Sequence, residues 1–64
     1  MTSREVIKRL RDDGWEEVLP RTAGSHRQFR HPVKKGKVTV KDPQKDIPIP
    51  TLKRIEQQSG LCLR

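Results

Sequence analysis

The segment Lys37-Val38-Thr39-Val40-Lys41 constrains this chain most, because its apolar and polar residues alternate without a break. Side chains on a β-strand point alternately to opposite faces, so this pattern demands a sheet buried on one side and open to solvent on the other. Val38 and Val40 face inward, and Lys37, Thr39 and Lys41 face outward. Any fold for the chain must therefore supply something to cover the valines and must leave a cationic face exposed.

The covering layer is found at the two ends of the sequence. Thr2-Ser3-Arg4-Glu5 has the spacing of a capping box, with Thr2 as N-cap. Val6, Ile7 and Leu10 follow at helical intervals, and Gly14 stands where a left-handed residue closes a helix. These signals predict a helix over 3–13, with Trp15 folding back as its apolar stop. A second helix is predicted to start at Pro50 or Thr51, to bury Leu52 and Ile55, and to end at Gly60. Leu61 and Leu63 extend the apolar surface into the tail. Ile47-Pro48-Ile49-Pro50 reads as extended, since a proline disfavours helix in the residue before it, and its isoleucines are expected to pin the segment to the core.

Between the helices lie two further strand candidates. Glu16 to Arg21 is the weaker one, because Val18 and Leu19 are adjacent rather than alternating and Pro20 has no amide to donate. His26 to His31, ended by Pro32, places His26, Gln28 and Arg30 on one face and Arg27, Phe29 and His31 on the other. Thr22-Ala23-Gly24-Ser25 makes the turn before it, Val33 to Gly36 the hairpin loop after it, and Asp42 to Asp46 a turn-rich connection. The expected fold class is α+β, in the order α-β-β-β-α. It is a three-stranded antiparallel sheet with two helices on one face, like the double-stranded-RNA-binding domain.

Size and charge narrow the functions available. Sixty-four residues, of which 30% are hydrophobic, suit one small domain over 1–64 and a shallow surface site rather than a deep cofactor cavity. Fifteen Lys and Arg against eight Asp and Glu leave a net charge of +7, which attracts polyanions, nucleic acid above all. One cysteine, Cys62, rules out an internal disulfide, and no metal-ligand spacing occurs. No apolar run has the length of a membrane span, so a reduced, cytoplasmic setting is expected.

The chemically distinctive residues gather in 21–32, which holds both histidines and the only Phe. Imidazole exchanges protons at neutral pH without help, so His26 is the candidate catalytic residue. RNA carries its own nucleophile, the 2′-OH, and its cleavage needs a base, an acid and charge stabilisation but no obligatory metal. Gly24 permits close backbone approach to a phosphate, and Ser25 adds a hydroxyl and an amide. Arg21, Arg27, Lys34, Lys35, Lys37 and Lys41 are the candidate phosphate-binding cations. His31 suits a structural place at the strand end and is also the candidate for a second acid or base. A non-catalytic RNA-binding module with the same fold remains the alternative.

The chain resembles the HicA family of mRNA-cleaving toxins. The matching residues are Gly14-Trp15, Arg21, Gly24-Ser25-His26, Phe29-Arg30-His31-Pro32, Val38-Thr39-Val40, the Pro-x-x-Thr-Leu-x-x-Ile spacing from Pro48 to Ile55, and Ser59-Gly60-Leu61. The resemblance implies the toxin of a type II toxin–antitoxin system, a metal-independent endoribonuclease without cofactor that cleaves mRNA through His26. It also implies a HicB-type antitoxin as partner and a monomer when free.

Overall fold

A computed structural model of the chain describes residues 1–18 and 26–63. Helix α1 spans Ser3–Asp12, strand β1 Glu16–Glu17, strand β2 His26–Arg30, strand β3 Lys37–Lys41 and helix α2 Ile49–Ser59. The strands form one antiparallel sheet in the order β1-β2-β3. The order of elements and the antiparallel sheet are those expected from the sequence.

Local rules account for the ends of α1. Thr2 accepts from the amide of Glu5, and the Glu5 carboxylate reaches back to the Thr2 amide, so the capping box is complete. At the other end the Gly14 amide donates to the Arg11 carbonyl and the Trp15 amide to the Leu10 carbonyl. Gly14 itself is left-handed at φ 100°. This is the Schellman arrangement, and it drives Trp15 back onto Leu10 and into the core, where 1% of it is exposed. Helix α2 ends on the simpler αL motif, Gly60 at φ 75° donating to the Glu56 carbonyl.

Val6, Leu10, Trp15, Phe29, Val38 and Val40 form the centre of the core, joined by Ile47, Leu52, Ile55 and Leu63. The two helices thus cover the Phe29–Val38–Val40 side of the sheet and leave the other side open. Strand β3 has the expected alternation, its valines buried and Lys37, Thr39 and Lys41 exposed.

Three local expectations are corrected. Strand β1 is short, Glu16–Glu17, with one further contact from the Val18 amide to the Gln28 carbonyl; residues 19–21 of the expected strand lie outside the described residues. Ile49 opens α2 instead of continuing an extended segment. Amides of the first helical turn have no partner within the helix, so Pro50 costs no bond there. Of the two isoleucines only Ile47 reaches the core, while Ile49 is half exposed.

Candidate nucleic-acid interface

The register of β2 on β3 decides which side chains meet on the open face. His26 pairs with Lys41, Gln28 with Thr39 and Arg30 with Lys37. Side chains directly opposite on antiparallel strands have Cβ atoms about 5 Å apart, so each pair works as one row. The face therefore reads, along the strands, as a histidine–lysine row, a neutral amide–hydroxyl row and an arginine–lysine row. His26 and Lys41 are both exposed, and so are Arg30 and Lys37. Glu16 of β1 stands on the far side of Arg30 and is exposed as well.

The cations fall into two groups. Lys8 pairs with Asp12 at 3.2 Å, Arg11 with Glu17 at 3.6 Å, Arg27 with Asp42 at 3.3 Å and Lys34 with Asp13 at 2.6 Å. His26, Arg30, Lys37 and Lys41 have no ion pair or side-chain hydrogen bond among the described residues. Of the paired cations, Lys8 is matched within α1 and Arg11, Arg27 and Lys34 sit at junctions between elements, whereas the open face keeps its positive charge uncompensated, apart from Glu16 at its margin.

Arg27 is the main correction to the expected phosphate-binding set. Its side chain leaves β2 on the Phe29 side, away from His26, and lies on the α1 side of the sheet with 22% exposed. There it spans the Asp42 carboxylate and, at 3.9 Å, that of Glu17. Asp42 also accepts from the Ser3 hydroxyl at 2.7 Å, which in turn accepts from the Gln44 amide. A chain of polar contacts thus ties the start of α1 to the adjoining ends of β2 and β3, directly under the His26–Lys41 row. A cavity of about 460 Å³ lies on the same side, lined by Arg4, Ile7, Lys8, Arg11, Arg27 and Asp42, and is not at His26.

Lys34 is the second correction. Its ammonium donates to the Asp13 carboxylate and, at 3.1 Å, to the Ser59 carbonyl, so it joins the C-terminal ends of both helices to the β2–β3 loop. The hydrogen bond from Lys34 holds the Asp13 carboxyl below its ordinary range. Lys35, in the same loop, is exposed as expected. Arg21, Gly24 and Ser25 lie outside the described residues.

His31 takes the structural role. Its Nδ1 accepts from the amides of Val33 at 3.0 Å and Lys34 at 3.1 Å. That leaves Nε2 to carry the proton and donate to the Asp13 carbonyl at 2.8 Å. The ring also meets Trp15 edge to face, centroids 5.3 Å apart. Both nitrogens are spent on the loop and the helix end, and the ring is on the side of the sheet opposite His26. Among the described residues no three His, Cys, Asp or Glu side chains are gathered to hold a metal ion, and no helix is long and apolar enough to cross a membrane.

A model of the family described as the HicA toxin of bacterial toxin–antitoxin systems matches residues 3–61. The chain belongs to the HicA toxin family. Among solved structures it is similar to a chain of a HicA3 and HicB3 toxin–antitoxin complex, with 33% identity, a TM-score of 0.79 and all of both chains covered. Comparison with curated proteins returns no match. The likeness to this HicA structure runs the full length and bears out the family resemblance and the α-β-β-β-α fold together. Sequence reasoning alone passed over three residues of the HicA chain: Arg30, which its alternation already placed on the same face as His26, and Ser3 and Asp42, whose contact spans 39 positions and has no local signal.

Proposed function

We propose that the chain is the toxin of a type II toxin–antitoxin pair and acts as a metal-independent endoribonuclease on mRNA. The observation that carries the reading is the pairing of an exposed, unpartnered His26 with an equally unpartnered Lys41 in one row of a cationic sheet face. His26 Nε2 or Nδ1 takes the proton of a ribose 2′-OH while that oxygen attacks the adjacent phosphorus. The new bond is 2′-O to phosphorus, the bond to the 5′-oxygen breaks, and the products are a 2′,3′-cyclic phosphate and a 5′-hydroxyl end. The Lys41 ammonium offsets the added negative charge of the pentacoordinate phosphorane, and a proton from it or from water neutralises the leaving oxygen. Gly24, Ser25 and Arg21, contiguous with or near His26 in sequence, complete the phosphate contacts in this reading, with Lys35 as an outlying attractant.

An antitoxin of the HicB type is the protein partner, in keeping with the complex in which the similar HicA3 was solved. By covering the open face it would place carboxylates against Arg30, Lys37 and Lys41 and keep RNA from His26. The chain acts as one domain over 1–64, in the cytoplasm, and is a monomer when free. The deciding experiment compares purified wild type with His26→Ala on single-stranded RNA. The variant should fall at least a hundredfold in cleavage while retaining RNA binding. Undiminished cleavage would remove His26 from the chemistry, and intact RNA with the wild type as well would favour the non-catalytic binding module.

A further inference from the structure

We infer that Arg30 and Lys37 form a second phosphate subsite, which seats a single RNA strand running along β2 and β3 with a remote phosphate held away from the cleaved one. The inference takes its ligand from the RNA-cleaving reading above and adds the substrate's form and direction on the protein. Its ground is the spacing of the rows. Arg30 and Lys37 face one another on the open side four residues from His26 and Lys41. At about 3.3 Å of rise per residue the two cationic rows are about 13 Å apart. Side chains on a strand stand roughly perpendicular to the sheet, so the rows keep most of that separation, and the second row is placed to take another phosphate further along the same strand.

Two other features fit a strand in this position. Gln28 and Thr39, between the rows, are neutral hydrogen-bonding groups suited to a sugar or base edge rather than a phosphate. Glu16 borders Arg30 on the side away from Lys37, so the positive potential is strongest between Arg30 and Lys37 and fixes where the phosphate lies. Apart from the His26 imidazole, the open face of the described strands carries no aromatic ring on which bases could stack, and so backbone contacts dominate binding. A single strand is required by the chemistry too. Cleavage needs the 2′-oxygen in line with the departing 5′-oxygen, and the regular A-form duplex holds it out of line.

The test uses a fluorescent 2′-O-methyl RNA decamer, which has no free 2′-OH and stays intact whatever His26 does. Its affinity for the full chain is measured by anisotropy over a series of salt concentrations. Arg30→Gln combined with Lys37→Gln should weaken binding at least tenfold and flatten the log–log salt slope by about 1.4, the loss of two single-strand phosphate contacts. Lys53→Gln combined with Arg54→Gln removes the same charge from exposed positions on α2 and should leave the slope unaltered. A duplex of the same length should compete less well than the single strand. Equal losses in the two double variants, an unchanged slope in the first, or equal competition by the duplex would each overturn the subsite. Because the probe cannot be cleaved, failure here leaves the role of His26 standing, and failure of His26→Ala leaves the subsite standing.

Discussion

At the scale of single residues, neighbours in sequence have opposite duties. His26 and Arg27 are consecutive, yet one faces solvent across from Lys41 and the other lies on the α1 side of the sheet, paired with Asp42. Arg27→Met should therefore lower stability by about 1–2 kcal/mol, since it strands a partly buried carboxylate, whereas Arg30→Gln should leave the melting temperature within a degree or two while weakening RNA binding. Thermal melts beside binding titrations separate the two. His31 gives the same contrast with His26. Replacing it by Ala leaves the Asp13 carbonyl and the amides of Val33 and Lys34 without partners, and a loss of about 2 kcal/mol is expected in denaturant unfolding. The alternation of 26–31 foretold which face each of these residues takes. It did not foretell that Arg27 would find Asp42 there, because that contact depends on the register of two strands and on where the following loop turns.

At the scale of elements, the helix ends explain why the outline of the fold was readable from so short a chain. Capping boxes, Schellman turns and strict alternation are local codes, and Thr2–Glu5, Gly14–Trp15 and Lys37–Lys41 each spell one out. Gly14 carries more than its conformation. A Cβ added there would stand 2.9 Å from His31 Nε2 and would require φ 100° of a residue with a side chain. Gly14→Ala should cost about 2 kcal/mol or more, against about 1 kcal/mol for Thr2→Ala, which loses only a cap; parallel urea titrations measure both. Where the code is not local, the signal in the sequence is weak at β1 and misleading at Ile49. Strand β1 is held by a partner strand rather than by its own pattern, and Ile49 joins a helix because Leu52 and Ile55 behind it pack, against the preference a following proline imposes.

At the scale of the whole molecule, Lys34 makes acid the condition that loosens the far end of the domain. It links the end of α1 at Asp13, the end of α2 at Ser59 and the β2–β3 loop. Its hydrogen bond lowers the Asp13 carboxyl from an ordinary value of 3.8. A carboxyl lowered by folding contributes its stability above the unfolded value, and that stability is lost as pH falls through the folded one. Melting temperatures taken from neutral pH downward should therefore begin to fall as 3.8 is approached and continue falling below it. Lys34→Met should be less stable than wild type at neutral pH, and the gap should close in acid. A gap that stayed constant through the acid range would show that Asp13 is not the linked group.

The separation of paired from unpaired cations has a genetic consequence. Residues whose charges are already satisfied hold the molecule together, and those left unsatisfied cost the fold nothing if they change. Selecting cells that survive production of this chain should accordingly return two populations of survivors. One would make abundant, protease-resistant protein altered at His26, Lys41, Arg30 or Lys37. The other would make little protein at all, with changes at positions such as Gly14, Arg27, His31 or Asp42.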